Sequence, residues 1–212
     1  MTRDAFLVGE ANARAIALVD AWPEWPQPAV LLAGPGGSGK THVVEIWRVL
    51  ANATVIPARN LDDSGIAALV GAGPVAVEDL HAGPFDEAAL FHLLNLAAER
   101  GMPMLLTSRA WPSALPVRLA DLASRLRAAR LVEIGEPDDD LRRRVLVKLF
   151  ADRQLAVEAA VMDYILLHME RSLEAANRVV EEIDREALAA GAPVTRRLAA
   201  AAMVRLAEGA PD

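Results

Sequence analysis

Short apolar runs alternate with longer amphipathic stretches along the first 135 residues of the chain. The apolar runs have strand length and occupy residues 29–33, 54–57, 74–77, 104–106 and 129–134. Runs without polar alternation are typical of strands that are buried on both faces of a sheet. Residues 86–100 place Leu90, Leu93, Leu94 and Ala97 on one stripe and so predict an amphipathic helix. Strands alternating with helices predict an α/β fold, with a parallel sheet and helices on both faces.

The pattern changes after Pro137, where we find no further strand signal. Asp138, Asp139 or Asp140 is expected to cap a helix that runs to about residue 151. Further helical patterns cover residues 156–169, 172–190 and 195–206, with a Gly-Ala-Pro stop signal between the last two. We therefore predict two domains, an α/β domain at 1–135 and a small helical domain at 136–212.

Composition narrows the class of protein. Hydrophobic residues make up 53% of the 212, which is enough for a full core. The net charge of −7 argues against a free-standing DNA-binding protein, because such proteins neutralise phosphates with a basic surface. No apolar run reaches the roughly 18 residues of a membrane span, and the chain has no cysteine for disulfides or thiolate metal sites. These features predict a cytoplasmic protein with no membrane contact.

The clearest chemical signal is a glycine-rich loop between the first predicted strand and the helix after it. The loop reads GPGGSGKT and fits G-x-x-x-x-G-K-[ST] at every fixed position. Glycines let backbone N–H groups turn inward around phosphates, and the start of the helix adds its positive dipole end. Lys40 would reach the β- and γ-phosphates, and the Thr41 hydroxyl would bind Mg²⁺. The predicted site for ATP or ADP therefore consists of Gly34, Pro35, Gly36, Gly37, Ser38, Gly39, Lys40 and Thr41.

A pair of carboxylates follows the third predicted strand. Phosphate sites of this type usually place an Asp at the end of an apolar strand, where it holds the water shell of the metal. Here Glu78 stands in that position and Asp79 follows it. We expect Glu78 to contribute to Mg²⁺ binding. Its longer side chain either weakens metal positioning and slows hydrolysis, or is harmless because a water molecule bridges the contact.

Five segments resemble the bacterial replication initiator family DnaA and occur in that family's order. They are FLVGEAN at 6–12, GKTH at 39–42, LTSR at 106–109, LASRL at 122–126 and RSLEAANR at 171–178. The resemblance implies an AAA+ fold, in which a five-stranded parallel sheet is followed by a helical lid. It also implies that Val8 and Asn12, in the first segment, lie at the bound nucleotide.

The resemblance assigns roles to three further positions. Ser108, or else Thr107, would sense the γ-phosphate from the segment known as sensor 1. Arg171, in the sensor 2 segment, would reach the nucleotide of its own subunit. Arg125 would be an arginine finger that completes the site of a neighbouring molecule. Judged without the family, Arg125 is one of several solvated arginines and Arg171 simply begins a helix.

The chain also resembles the short, Hda-type regulators related to DnaA, since it stops directly after the expected lid and no residues remain for the family's DNA-reading domain. The resemblance implies that it stimulates hydrolysis of initiator-bound ATP in trans, represses re-initiation and hydrolyses little ATP itself. The implied partners are DnaA and the sliding clamp, with self-association through AAA+ contacts and no sequence-specific DNA binding. We find no clamp-binding peptide of the form Q-x-x-L-P-L before Phe6, so the clamp rests on analogy alone.

Two other functions remain open at this point. An independent ATPase or helicase-loader-like protein acting on single-stranded DNA would need a basic or aromatic path for the strand, and the sequence shows no obvious one. A small-molecule kinase built on the same loop would need a compact substrate lid in place of the ordered sensor segments.

Overall fold

A computed structural model describes residue 3 and residues 6–208 of the chain. Contacts divide these residues into two compact units. The first unit contains Asn12–Gly135 together with Phe6, and the second contains Leu7–Ala11 and the described residues from Glu136 onward. None of the described helices is long and apolar enough to cross a membrane.

The first unit is built on a five-stranded parallel sheet. The strands are β1 at Ala29–Ala33, β2 at Thr54–Pro57, β3 at Val75–Glu78, β4 at Met104–Ser108 and β5 at Arg130–Glu133, in the order β2-β3-β4-β1-β5. The sheet confirms the predicted α/β class. Two strands run further than their apolar runs predict, so that the polar residues Glu78 and Ser108 are the last residues of β3 and β4.

Helices cover both faces of this sheet. They are α1 at Ala13–Asp20, α2 at Lys40–Ala51, α3 at Ile66–Ala72, α4 at Glu87–Arg100 and α5 at Ala120–Ala128. Alternate residues of β1 point to opposite faces, as a pleated strand requires. Leu31 packs in the core beneath α3, α4 and α5, whereas Val30 and Leu32 pack with α1 and α2. The central strand β1 is therefore enclosed on both sides, and the loop that follows it has a rigid base.

Local signals set the ends of the best-predicted helix. The Asp86 carboxylate accepts a hydrogen bond from the N–H of Ala89 at 2.9 Å and caps the start of α4. Gly101 ends the helix in the left-handed conformation, with φ of 62°. The observed helix at Glu87–Arg100 therefore matches the prediction over residues 86–100 within one residue.

The described part of the second unit contains helices and no strand. The helices are α6 at Asp139–Asp152, α7 at Ala159–His168, α8 at Leu173–Ala190 and α9 at Arg196–Glu208. Of the three candidate caps, Asp138 is the one used, since its carboxylate accepts from the N–H of Leu141 at 2.7 Å. Helix α7 begins three residues later than the predicted 156, because the backbone stays extended up to its cap, Glu158.

The N-terminal segment Leu7–Ala11 packs within the second unit. A side-chain carbon at Gly9 would lie 3.0 Å from the side chain of Leu141, so glycine allows the segment to approach α6 closely. The guanidinium of Arg144 donates a hydrogen bond to the carbonyl oxygen of Val8 at 3.0 Å. These two contacts fix the segment against α6.

Candidate functional site

The glycine-rich loop at residues 34–41 joins the carboxyl end of the central strand to helix α2. The N–H of Gly34 donates to the carbonyl oxygen of Ser108 at 3.2 Å, which continues the pairing of β1 with β4. A side-chain carbon at Gly34 would lie only 2.2 Å from the carbonyl oxygen of Ile134, so the loop approaches the end of β5 without room for any side chain. Gly37 and Gly39 adopt φ of 67° and 100°, a region that other residues rarely occupy.

Lys40, the first residue of α2, folds back over this loop. Its Nζ donates to the carbonyl oxygens of Gly34 and Pro35 at 2.7 Å each, and the residue is only 7% exposed. Gly39 caps α2 and has no side chain with which to bond the first N–H groups of the helix. The loop therefore combines a held ammonium group with the positive end of a helix dipole, which is the arrangement that binds phosphate.

The structure brings together the two residues predicted to serve Mg²⁺. Burial raises the pKa of Glu78 above its usual range, and a hydrogen bond from the Thr41 hydroxyl opposes that rise. Among the described residues, the Oε1 atom of Glu78 is buried without a hydrogen-bond partner. Two adjacent oxygens, one of them buried and unsatisfied, fit the hard oxygen ligands that Mg²⁺ or its water shell requires. The geometry is therefore suited to a magnesium-bound phosphate.

Asp79 turns the chain sharply after β3. It is one of few residues other than glycine with positive φ, at 63°, a conformation that is retained only when the surroundings enforce it. Its N–H donates to the hydroxyl of Thr107 at 3.0 Å. The N–H of Leu80 donates to the carbonyl oxygen of Thr107, also at 3.0 Å. The ends of β3 and β4 are thus tied together beside the phosphate loop.

The two hydroxyls predicted to sense the γ-phosphate are both buried and hydrogen bonded. Thr107 is 1% exposed and its hydroxyl accepts from Asp79, as described above. Ser108 is 0% exposed, and its hydroxyl accepts from the N–H of Ala110 at 2.9 Å. Ser108 thus lies beside the loop, but its hydroxyl does not face solvent.

Two residues to which the sequence prediction gave no role also lie at the loop. A side-chain carbon at Gly36 would lie 3.3 Å from both Cζ and Nη1 of Arg109, so this guanidinium rests against the loop. The N–H of Arg109 donates to Nδ1 of His81 at 3.1 Å. Burial lowers the pKa of His81, with Asp79 opposing the shift and the charges of Arg109 and Lys40 adding to it. The only signal for Arg109 in the sequence was its place in the LTSR segment, where the prediction assigned the sensing of the γ-phosphate to the neighbouring Ser108 or Thr107.

Arg125 lies near the amino end of β1, whereas the phosphate loop of its own chain follows the carboxyl end of that strand. It is exposed in the last turn of α5 and lines a cleft of about 250 Å³ with Gln27, Pro28 and Ala29, which lead into β1. The loop follows the other end of β1, four residues beyond Ala29, which is roughly 13 Å along a strand. Arg125 is therefore placed away from the phosphates that its own loop would hold.

The remaining predicted residues lie partly in the second unit. Arg171 is 71% exposed, its Nη2 lies 3.8 Å from the carboxylate of Asp139, and it precedes the helix cap Ser172. Val8 is 39% exposed in the segment that packs on α6. Asn12 belongs to the first unit, is buried at 1% exposure and caps α1 through its backbone. The proposed contacts of these three residues with a nucleotide stay predictions.

Comparisons with known proteins bear first on the fold. No protein-family model matches the sequence. An uncharacterised protein from Haemophilus influenzae is 27% identical over 176 residues, which are 77% of this chain and 76% of that protein. Domain III of the replication initiation protein DnaA from Thermotoga maritima matches 96% of this chain and 95% of its own, with a TM-score of 0.79 at 16% identity. The chain has the AAA+ fold.

Other AAA+ structures are nearly as similar. AMPPCP-bound DnaA from Aquifex aeolicus is 21% identical with a TM-score of 0.69; the match covers 84% of this chain and spans 63% of that one. The RuvB Holliday junction branch migration motor from Thermotoga maritima is 17% identical with a TM-score of 0.73, over 94% of this chain and 70% of its own. At such identities the likeness is one of AAA+ fold, and it is shared by an initiator and a DNA motor alike.

Proposed function

We propose that the chain binds ATP or ADP with Mg²⁺ at residues 34–41. The observation that carries this proposal is the Lys40 ammonium held in the loop at the start of α2, with the Thr41 hydroxyl near enough to Glu78 to lower the pKa of that carboxyl. The loop N–H groups and Lys40 bind the phosphates, and Thr41 with Glu78 positions the metal and its water shell. Bound Mg²⁺ would neutralise the charge between the last two phosphates.

We further propose that the protein is a DnaA-related regulator of the Hda type, which represses re-initiation of replication. In this function it stimulates hydrolysis of ATP bound to an initiator, with the sliding clamp as a second partner. Support comes from the position of Arg125, which is exposed near the amino end of β1, away from the phosphate loop of its own chain. A guanidinium there is available to a neighbouring molecule, and its planar charge suits the oxygens of a phosphoryl group in transfer.

The chain's own hydrolysis is proposed to be slow. Glu78 is one methylene longer than the usual Asp, and Mg²⁺ requires near-ideal octahedral geometry, so the longer side chain is expected to position the metal less well. A single-turnover assay of wild type and Glu78→Asp measures the effect of side-chain length. A faster Glu78→Asp variant is expected, and equal rates would mean that a bridging water makes the longer side chain harmless.

A mixed ATPase assay tests the action in trans. DnaA loaded with ATP is incubated with clamp and DNA, and the protein is added as wild type, Arg125→Ala or Arg127→Ala. Arg127 is an exposed arginine of the same helix and serves as the matched control. We expect wild type and Arg127→Ala to stimulate hydrolysis and Arg125→Ala to lose the stimulation, since an arginine finger contributes about 10³-fold or more to the rate.

Two outcomes would contradict the regulatory proposal. Equal stimulation by Arg125→Ala and wild type would remove the arginine finger from the mechanism. No effect on DnaA, together with rapid hydrolysis by the protein alone and salt-sensitive binding to single-stranded DNA, would identify an independent ATPase or loader.

A further inference from the structure

The end of β4 presents one solvent-facing polar side chain to the phosphate loop, and it belongs to Arg109. The hydroxyls of Thr107 and Ser108 are buried and accept hydrogen bonds from the N–H groups of Asp79 and Ala110. Each hydroxyl still has its own proton to donate, but neither residue is more than 1% exposed, so a phosphate would reach either hydroxyl only after a local rearrangement. Arg109 is exposed, and its guanidinium already lies against Gly36.

We propose that Arg109 contacts the terminal phosphate of bound ATP and makes the site discriminate ATP from ADP. This inference rests on the proposed nucleotide site and identifies a specificity-determining residue within it. Ser108 then has a positioning role, because its carbonyl oxygen holds Gly34 and its hydroxyl shapes the turn from which Arg109 projects.

The order of the strands supports the choice of phosphate. β4 lies between β1, whose end carries the phosphate loop, and β3, whose end carries Glu78. Ser108 pairs directly with Ala33, and neighbouring strands are about 4.8 Å apart. A terminal phosphate that binds both Lys40 and a metal held by Glu78 would therefore lie near the end of β4. Arg109 is the residue that leaves the sheet at this point.

The backbone and the local charges favour this contact. The N–H of Arg109 is anchored to Nδ1 of His81, so the start of its side chain is fixed while the guanidinium stays exposed. A ring nitrogen that accepts a hydrogen bond is unprotonated, so His81 adds no positive charge that would repel the arginine. Lys40 already spends two donors on loop carbonyls. The Arg109 guanidinium, a second cation with several donors, therefore adds binding energy for ATP, which has a terminal phosphate within its reach, and not for ADP.

Nucleotide affinity measured for matched variants tests the proposal. Fluorescent ATP and ADP analogues are titrated, with Mg²⁺, into wild type, Arg109→Ala, Arg109→Lys, Ser108→Ala and the control Arg127→Ala. Thermal unfolding of each variant verifies that it is folded. We expect Arg109→Ala to lose about tenfold to a hundredfold in ATP affinity, the range for a hydrogen bond to a charged group, and at most about twofold in ADP affinity. Arg109→Lys should recover part of the loss, because it keeps the charge without the planar donors.

Each other outcome overturns the inference in a recognisable way. An unchanged ratio of ATP to ADP affinity in Arg109→Ala means that Arg109 does not read the terminal phosphate. A selective loss of ATP affinity in Ser108→Ala, with Arg109→Ala unchanged, returns the role to the hydroxyl. If the wild type binds neither analogue, the proposed nucleotide site itself is wrong and the role of Arg109 falls with it.

Discussion

A methyl group at Gly34 should distort the phosphate loop at its base. The side-chain carbon of an alanine there would lie 2.2 Å from the carbonyl oxygen of Ile134, whereas ordinary contacts begin near 3.4 Å. The obstacle is backbone rather than a flexible side chain, so β1 and the end of β5 must separate by roughly 1 Å. The hydrogen bond from the N–H of Ile134 to the carbonyl oxygen of Ala33, now 2.8 Å, would then stretch beyond hydrogen-bond length.

The size of the effect follows from this single broken bond. Ile134 and Ala33 are buried at 1% and 2% exposure, so water does not readily replace the lost partner. An unsatisfied buried polar group costs about 1–3 kcal/mol, so the two groups together cost roughly 2–6 kcal/mol. For a chain of this length that corresponds to a fall in Tm on the order of 10 °C.

Thermal and urea unfolding of three glycine variants provides the measurement. Gly34→Ala should be strongly destabilised. Gly36→Ala should change little, because the atoms it meets are the far end of the Arg109 side chain. Gly71→Ala, in helix α3 with nothing within 4 Å, should gain up to about 1 kcal/mol. Equal unfolding temperatures of Gly34→Ala and Gly36→Ala would show that the contact with Ile134 does not determine stability.

Two further predictions concern carboxylates. Since burial raises the pKa of Glu78, the folded state holds that proton more tightly, and stability falls as pH rises from about 4 through the folded-state pKa. In EDTA without nucleotide, Glu78→Gln should therefore have a higher urea midpoint than wild type near pH 8 and the same midpoint near pH 4. A difference in midpoint that does not change with pH would contradict this expectation. The Glu87 carboxylate accepts hydrogen bonds from the N–H groups of Arg118 and Leu119, just before α5, at 2.7–3.0 Å. Glu87→Ala should therefore lose about 1–3 kcal/mol of stability, whereas the control Glu99→Ala, at an exposed position, should change by at most about 0.5 kcal/mol. Equal losses would show that these hydrogen bonds do not stabilise the fold.

Hydropathy was sufficient to find the five strands and to locate the ends of two of them, but not of the other three. Apolar runs predicted β1 and β2 at their observed bounds. Glu78 and Ser108 lie within strands because they pair with neighbouring backbone, and a polar side chain at a strand end leaves no hydropathy signal. The strand order likewise depends on contacts between distant residues, which periodicity does not report.

The sequence predicted those residues of the candidate site that belong to a motif of fixed spacing, and it did not predict which side chains are buried or exposed. The loop pattern identified Lys40 and Thr41, and the apolar run before Glu78 pointed to the carboxylate that Thr41 contacts. Nothing in the sequence indicates that Ser108 spends its hydroxyl on the N–H of Ala110, because that bond depends on a local turn. The exposure of Arg109 beside the loop follows from the same turn and was missed for the same reason.

The Lys40 ammonium group is proposed to bind the phosphates of an adenine nucleotide. Equilibrium titration of a fluorescent ADP analogue into wild type and Lys40→Ala, with unfolding curves to show that both are folded, measures this directly. We expect the wild type to bind and Lys40→Ala to lose roughly a hundredfold or more in affinity, since the ammonium group would make more than one charge-assisted hydrogen bond. Equal affinity of the two proteins for the nucleotide would contradict it.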